Sequence, residues 1–388
     1  MRILAFHLMP YVDINPDFAE KHGGAWVTLP NAYFDRKAGY ALYNRFLDEL
    51  EYADASGFDG VCVNEHHQNG YGLMPMPGVF AGALARRTKG WLALLGRALP
   101  LVNNPLNIAE EFAEIDQLTG GRLIAGFVRG IGAEYHSSGV NPTESHDRFH
   151  EAHDLIVRAW TEPGPFHFEG KYYDYEYVNT WPRTYQDPHP QIWIPSQGSS
   201  ETIRFAAAKA HRYTYLQTFS PIAAVAKYMQ MYKDEARAQG YEATPDQLGW
   251  SVPIYVAATD EQAREEARPH AEMFVNKLLK MEVEMLLPPG YTTLQSMKGV
   301  LAAKAGLTVD RTLENLLDTG AFIVGSPKTV REKLVEAQRQ IGFGNLLMTI
   351  QFGTLPHDLT MNNIKLLAEE VVPFIKEHAG LTTAKPAA

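Results

Sequence analysis

The sequence is poor in cysteine, in basic runs and in long apolar stretches. Its 388 residues include one cysteine, Cys62, so no disulfide can form within the chain. We therefore expect a cytoplasmic protein. No stretch of about 18 consecutive apolar residues occurs, so no membrane-spanning helix is predicted. The formal net charge of -10 and the lack of a basic run argue against nucleic-acid binding.

Several motifs of metal and nucleotide sites are also missing. Neither His-x-His nor His-Glu-x-x-His occurs, and the adjacent His66 and His67 would point to opposite faces of a strand, so we expect no metal site. His146, His150 and His153 share one side of a predicted helix beside apolar residues, and we interpret them as packing or subunit contacts. The chain has neither a Walker-type phosphate loop nor Gly-x-Gly-x-x-Gly after a strand.

What the chain has is a regular alternation of apolar runs and segments of helical period. The runs predict eight strands, at residues 2–8, 60–64, 91–100, 122–128, 191–195, 213–218, 250–257 and 345–350. Helices between strands imply parallel pairing, and eight such units favour a closed (β/α)8 TIM barrel, with an open doubly wound sheet as the alternative. We expect one domain over residues 1–388, with insertions or lids at 162–190 and 269–320.

Two helix starts carry the same Ser-Pro signal. Ser220-Pro221 and Ser326-Pro327 each combine a residue favoured as N-cap with a proline suited to the first helical position. The pairs predict a helix beginning at each place, capped by the serine side chain.

The chemistry of a barrel sits at the carboxyl ends of its strands, and three of these ends are rich in polar groups. The second predicted strand runs into Asn64-Glu65-His66-His67, where one imidazole can act as general base or hydrogen-bond donor; a structurally satisfied histidine pair is the alternative. The fourth ends at Arg129 before two glycines, a pattern that suits an anion. After the fifth, the 196–202 segment combines glycine and hydroxyl groups at a helix start, which indicates either a phosphate site or an ordinary N-cap.

These segments together resemble the bacterial luciferase-like, flavin-dependent monooxygenases over roughly residues 1–375. The resemblance rests on Gly57-Phe58-Asp59 leading to Glu65-His66-His67, on Asn104-Pro105 with the 111–122 segment, on Gly126-Phe127-Val128-Arg129-Gly130, and on Phe322-Ile323-Val324-Gly325-Ser326-Pro327. Several such blocks in the same order are far more specific than any one of them.

The resemblance implies FMN as the ligand, used as a reduced cosubstrate. By it, phosphate-binding arginines fall on Arg129 and Arg148, and the backbone and hydroxyl contacts fall on Gly198, Ser199 and Thr202. The catalytic imidazole corresponds to His66, and a cis peptide under the flavin ring is expected at Leu95-Gly96. We place Asn64, His67, Tyr71 and Tyr135 in the substrate pocket.

The implied activity is a two-component oxygenation. A separate NAD(P)H:flavin reductase would supply reduced FMN, and one oxygen atom of O2 would enter a small apolar organic substrate through a peroxyflavin. A homodimer is also implied. Val128 replaces a reactive-site cysteine of luciferase, and the fifth-strand loop differs, which argues against light emission and a long-chain aldehyde substrate. The alternatives are a deazaflavin-dependent oxidoreductase, a non-catalytic flavin-binding protein and a metal-dependent barrel hydrolase.

Overall fold

The fold is given by a computed structural model that describes residues 1–292, 297 and 311–378. In chain order the strands are β1 (Arg2–His7), β2 (Gly60–Val63), β3 (Trp91–Ala98), β4 (Leu123–Val128), β5 (Phe166–Glu169), β6 (Asp174–Val178), β7 (Gln191–Ser196), β8 (Thr214–Thr218), β9 (Leu248–Val256), β10 (Ile323–Gly325) and β11 (Asn345–Gln351).

Eight of the described strands form a closed parallel ring. Its order is β1-β2-β3-β4-β7-β8-β9-β11, and β11 pairs back onto β1. The short β10 pairs with the far end of β9, outside the ring. The closure confirms the predicted (β/α)8 barrel and excludes the open sheet.

The helices lie between the strands and cover the barrel. In chain order they are α1 (Phe18–His22), α2 (Arg36–Ala55), α3 (Pro77–Ala85), α4 (Leu106–Thr119), α5 (Gly132–Ser138), α6 (Ser145–Thr161), α7 (Ser200–Ala207), α8 (Ile222–Ala238), α9 (Asp260–Met273), α10 (Val283–Leu286), α11 (Leu313–Asp318), α12 (Pro327–Ile341), α13 (His357–Leu366) and α14 (Val372–His378). A π-helical turn at Phe274–Leu278 follows α9, and another at Leu367–Val371 joins α13 to α14. Across the described residues, none of these helices has the length and apolar character needed to span a bilayer.

The buried core includes whole ring strands and one face of a covering helix. All eight residues of β3 and all nine of β9 are buried, because a ring strand is covered by barrel interior on one face and by helices on the other. On α12 the buried residues are Val330, Leu334, Ala337 and Ile341, which fall on one face at helical spacing.

Each predicted strand corresponds to one ring strand, with small differences at the ends. β3 stops at Ala98 because the 3-10 turn Leu99–Leu101 follows it, and β9 begins at Leu248, two residues earlier than predicted. Ser326 caps α12 as predicted, accepting from the Thr329 N–H. At Ser220-Pro221 the predicted helix is present as α8, but the predicted serine cap is wrong: α8 begins after Pro221 with no side-chain cap, and the Ser220 hydroxyl donates to the Thr218 carbonyl instead.

The two insertions lie in different places. The 162–190 segment contains the antiparallel hairpin of β5 and β6, and none of its residues lines the cavity described below. The 269–320 segment includes α10 and reaches over the barrel mouth through Leu279, Met281, Leu286, Leu287 and Tyr291. Residues 293–296 and 298–310 of this insertion lie outside the described part of the chain.

Candidate active site

A cavity of about 260 Å³ opens at the carboxyl ends of the barrel strands. Strand-end residues in its wall are Asn64, Leu95, Gly96, Val128, Ser196 and Thr218. Most of the remaining wall is apolar and comes from Phe6, Trp26, Phe127, Phe149, Phe205, Leu216, Phe219, Leu279, Met281, Leu286 and Leu287. This is the end of a barrel at which catalytic residues are found.

His66 lies in this wall and is held by a buried carboxylate. Its Nδ1 is 3.1 Å from Oε1 of Glu134, the side chain of which is 2% exposed. The same carboxylate accepts from the backbone N–H groups of His67 and Ile131. Burial alone would raise the pKa of Glu134, but these hydrogen bonds and the nearby imidazoles more than offset it and hold the pKa below its usual value.

An ionised carboxylate only accepts hydrogen bonds, so Nδ1 of His66 must carry the hydrogen that Glu134 receives. The other ring nitrogen, Nε2, is then free to accept or exchange a proton. Trp26 and Tyr71 meet the imidazole edge-on, with centroids 5.3 and 5.1 Å away, and restrict its rotation. The arrangement is that of an oriented general base.

Arg129 supplies the positive charge of the cavity, as the sequence predicts for the end of β4. Its Nη1 donates to the hydroxyl of Ser145 at 3.1 Å and to the carbonyl of Tyr291 at 2.9 Å. The ring of Tyr291 stacks on the guanidinium at 4.6 Å. Because an arginine has five N–H donors and both bonds come from Nη1, donors remain for a ligand in the cavity.

The start of α7 faces the same cavity through Ser199, Glu201 and Thr202. The Ser199 hydroxyl accepts from the Thr202 N–H at 3.4 Å, which makes it the helix N-cap. The hydroxyls of Ser199 and Ser200 donate to Oε2 of Glu201, at 2.9 and 3.2 Å. The start of α7, the hydroxyls of Ser199 and Thr202, and Arg129 therefore belong to one cavity wall, and this donor set suits a phosphate.

Asn64, Leu95 and Gly96 form the wall near His66. The Leu95–Gly96 peptide bond is cis, at the position that the resemblance implies. Gly96 is required by packing, since a Cβ there would lie 2.6 Å from the carbonyl carbon of Gly126. Asn64 is 5% exposed, and its Oδ1 has no hydrogen-bond partner in the described structure. It is therefore a buried acceptor that a ligand N–H or O–H can satisfy.

Two predicted substrate-pocket residues lie behind the wall rather than in it. His67 is not among the residues that line the cavity, and its Nε2 is 3.1 Å from Oε1 of Glu65, which raises the imidazole pKa. The buried Tyr135 donates its hydroxyl to the Arg129 carbonyl and so fixes the backbone of that arginine. Of the predicted substrate-pocket residues, Asn64 and Tyr71 line the cavity.

Two predicted phosphate residues are also outside the cavity wall. Arg148 donates through Nε to the Pro100 carbonyl at 3.0 Å and lies over the rings of Tyr172 and Tyr173. Gly198 has a φ of +99°, and a Cβ there would strike the ring of Tyr228 at 2.2 Å, so the turn itself requires glycine. A role of either residue in binding phosphate stays a prediction.

His146 and His150 line the cavity, and His150 also packs as predicted, with its ring centroid 5.6 Å from that of Phe149 and 5.0 Å from that of Phe205. His153 does pack, since it is buried with Nε2 2.9 Å from the Tyr213 hydroxyl. Burial and the charge of Arg129 lower the pKa of His146 to about 4, so this imidazole is neutral near pH 7. In the described ranges, no three His, Cys, Asp or Glu side chains converge in a way that could hold a metal ion.

Comparison with known families identifies the chain. The family described as luciferase-like monooxygenase matches residues 25–343. The chain therefore belongs to this family, which confirms both the resemblance and the predicted class of enzyme, a flavin-dependent monooxygenase.

Two of the relatives found by sequence are oxygenases of different substrates. The limonene 1,2-monooxygenase of Rhodococcus erythropolis is 22% identical over 94% of this chain and 89% of that protein. The oxygenase component of the flavin-dependent trigonelline monooxygenase of Acinetobacter baylyi is 25% identical over 42% of this chain and 46% of its own length. The family is thus clear, and the relatives differ in what they oxidise.

Solved structures share the fold over nearly the whole chain. Monooxygenase RslO1 from Streptomyces bottropensis has a TM-score of 0.72 and 24% identity, covering 96% of this chain and 99% of its own. The oxygenating constituent of 3,6-diketocamphane monooxygenase from Pseudomonas putida, solved with FMN, has a TM-score of 0.70 and 21% identity, covering 96% and 98%. An F420-dependent secondary alcohol dehydrogenase has a TM-score of 0.66 and 15% identity, covering 96% and 98%, so the barrel also carries deazaflavin chemistry in other proteins.

Proposed function

We propose that this chain is the oxygenase of a two-component system that uses reduced FMN and O2 to place one oxygen atom in a small apolar organic substrate. A separate NAD(P)H:flavin reductase supplies the reduced FMN. The observation that carries the proposal is that Arg129, Ser199, Thr202 and the oriented His66 line one cavity.

The residues present fit FMN. The cation, the hydroxyls and the start of α7 suit a phosphate, and the buried Oδ1 of Asn64 suits an imide N–H such as that of a flavin ring. The wall between these two ends is largely apolar, as a tricyclic ring requires. We therefore assign the phosphate end to Arg129, Ser199 and Thr202, and the ring to the wall around Leu95 and Gly96.

We assign the substrate to the apolar part of the cavity wall. Trp26, Phe219, Leu279 and Met281 contribute side chains to it without a formal charge. Burying such surface favours an uncharged hydrocarbon-like substrate by about 25 cal/mol for each Å² removed from water.

When bound, reduced FMN supplies the electrons that activate O2. Arg129 and the start of α7 hold the phosphate and orient the ring, and the insertion residues Leu286, Leu287 and Tyr291 exclude water from the mouth. Nε2 of His66 accepts or returns the proton that moves at the reacting centre, while Glu134 holds Nδ1. The arginine takes no part in the proton transfer.

Titration with reduced FMN and with reduced F420 under nitrogen tests which of the two cofactors binds. We expect reduced FMN to bind and reduced F420 not to bind, and we expect oxygen uptake once air is admitted to the complex with reduced FMN. Binding of reduced F420 in preference would favour the deazaflavin oxidoreductase, and flavin binding without oxygen uptake would favour a non-catalytic protein. Activity that depends on an added metal and is lost on chelation would favour the hydrolase.

Glu134→Gln tests the carboxylate that holds His66. We expect turnover to fall about tenfold because a neutral amide stabilises the imidazolium less and can present its NH2 group to Nδ1. The Kd for FMN should change less than about threefold, since Glu134 is not among the donors that we assign to the phosphate. Steady-state kinetics and fluorescence titration with FMN measure the two quantities.

Glu134→Asp is the matched control for this carboxylate. It keeps the charge, so turnover should recover in part relative to Glu134→Gln. Equal losses of turnover and of FMN affinity in both variants would indicate a structural role, and thermal melting would then show a common loss of stability.

A further inference from the structure

Glu201 places a carboxylate in the proposed phosphate end of the cavity. It lines the cavity wall, and its Oε2 accepts from the hydroxyls of Ser199 and Ser200. His146, in the same wall, lies within electrostatic reach of both Arg129 and Glu201. The carboxylate therefore engages the Ser199 hydroxyl, a donor in the cavity wall that a phosphate would also use.

An FMN phosphate must compete with this carboxylate. A phosphate monoester carries about -1.5 to -2 charges at pH 7, so Glu201 repels it as well as occupying the serine hydroxyls. Two like charges at close range oppose each other even when solvent screens them. The serine hydroxyls can turn to a phosphate only if they leave Glu201.

An acid in the first turn of a helix has an ordinary explanation, since it interacts favourably with the helix dipole. The chain contains a second example, because α9 has the same cap geometry, with Thr259 accepting from the Gln262 N–H and Glu261 in the place equivalent to Glu201. Glu261 is exposed and does not line the cavity. Helix capping alone therefore does not require the acid to face a ligand site.

We propose that Glu201 weakens the grip of the cavity on the phosphate of FMN, so that the flavin binds as an exchangeable cosubstrate and not as a tightly held cofactor. The inference rests on the proposed function. Glu201 then promotes the dissociation of flavin. A two-component enzyme needs this dissociation because each turnover consumes one reduced flavin and returns an oxidised one. Arg129 and Glu201 then oppose each other at the same phosphate.

Binding of FMN and of riboflavin to the wild type, Glu201→Gln and Glu261→Gln tests this role. Riboflavin lacks the phosphate and therefore reports on the ring end alone. We expect Glu201→Gln to lower the Kd for FMN about tenfold, mostly through slower dissociation, and to leave the Kd for riboflavin unchanged. Glu261→Gln should match the wild type with both ligands. Fluorescence titration and stopped-flow displacement measure these quantities.

Two further variants make the outcome decisive. Glu201→Asp keeps the charge and should retain weak FMN binding. Glu201→Ala also removes the charge and should bind FMN tightly, so it can replace the glutamine variant if that variant does not fold. An unchanged or raised Kd for FMN in folded Glu201→Gln, or an equal change for riboflavin, would overturn the inference while the proposed function stands. If the wild type binds neither FMN nor riboflavin, the proposed function fails, and the role of Glu201 fails with it.

Discussion

Replacing Arg129 with alanine is expected to raise the Kd for FMN about 100-fold. Arg129 is the cation of the cavity wall, and hydrogen bonds to charged groups are worth about 1.5–3 kcal/mol each. The substitution also removes the donor to the Tyr291 carbonyl, so the insertion loses a contact that holds it over the mouth. Fluorescence titration of FMN against the variant measures the change.

Riboflavin and a second arginine provide the controls for this prediction. Arg129→Ala should change the Kd for riboflavin much less than that for FMN, because riboflavin has no phosphate. Arg148→Ala should raise the Kd for FMN by less than about threefold, since the Arg148 guanidinium is bound to the Pro100 carbonyl and lies over two tyrosine rings. An equal loss of FMN affinity in the two arginine variants would mean that Arg148 also binds the phosphate, as the resemblance implies.

The barrel could be predicted because its strands are continuous apolar runs bounded by turns and helices. The first predicted strand, 2–8, and the observed β1, Arg2–His7, differ by one residue. The three-residue β10 has no comparable signal, since it lies outside the ring and pairs only with the end of β9. Ser220 shows the limit of local capping rules, because its hydroxyl found a carbonyl partner two residues back instead.

The site could be predicted where it lies directly on a strand end or on a helix start. His66, Arg129 and Ser199 follow ring strands closely, and the barrel brings such positions to one cavity. Glu134 and His66 are 68 residues apart and meet because the fold brings Glu134 of α5 to the segment that follows β2, so no local pattern links them. Tyr291 is more distant still, since 162 residues separate it from Arg129.

Local patterns also misplace residues that adjoin a site. His66 and His67 are neighbours in sequence, yet each imidazole has its own carboxylate, Glu134 for one and Glu65 for the other. His66 lines the cavity and His67 does not, although the two residues are adjacent in the segment after β2. The adjacent histidines therefore supply one candidate base at the cavity, His66.

His66→Ala is expected to lower turnover about 100-fold and to change the Kd for FMN less than about threefold. A positioned general base contributes roughly 10²–10⁴ in rate, and the alanine variant lacks any group to carry the proton. We assign His66 to proton transfer and not to the phosphate, so binding should be kept. Substrate-dependent oxygen uptake at saturating reduced FMN and titration with oxidised FMN measure the two effects separately.

The double variant His66→Ala with Glu134→Gln decides whether the two residues act as one unit. If Glu134 acts only through the imidazole, adding Glu134→Gln to His66→Ala should cause no further loss of turnover, because the ring that it holds is already gone. A further tenfold loss would mean that Glu134 has a separate task, such as holding the backbone at Ile131 for the cavity wall. A drop in FMN affinity for His66→Ala as large as that for Arg129→Ala would instead contradict the division of the cavity into a phosphate end and a proton-transfer end.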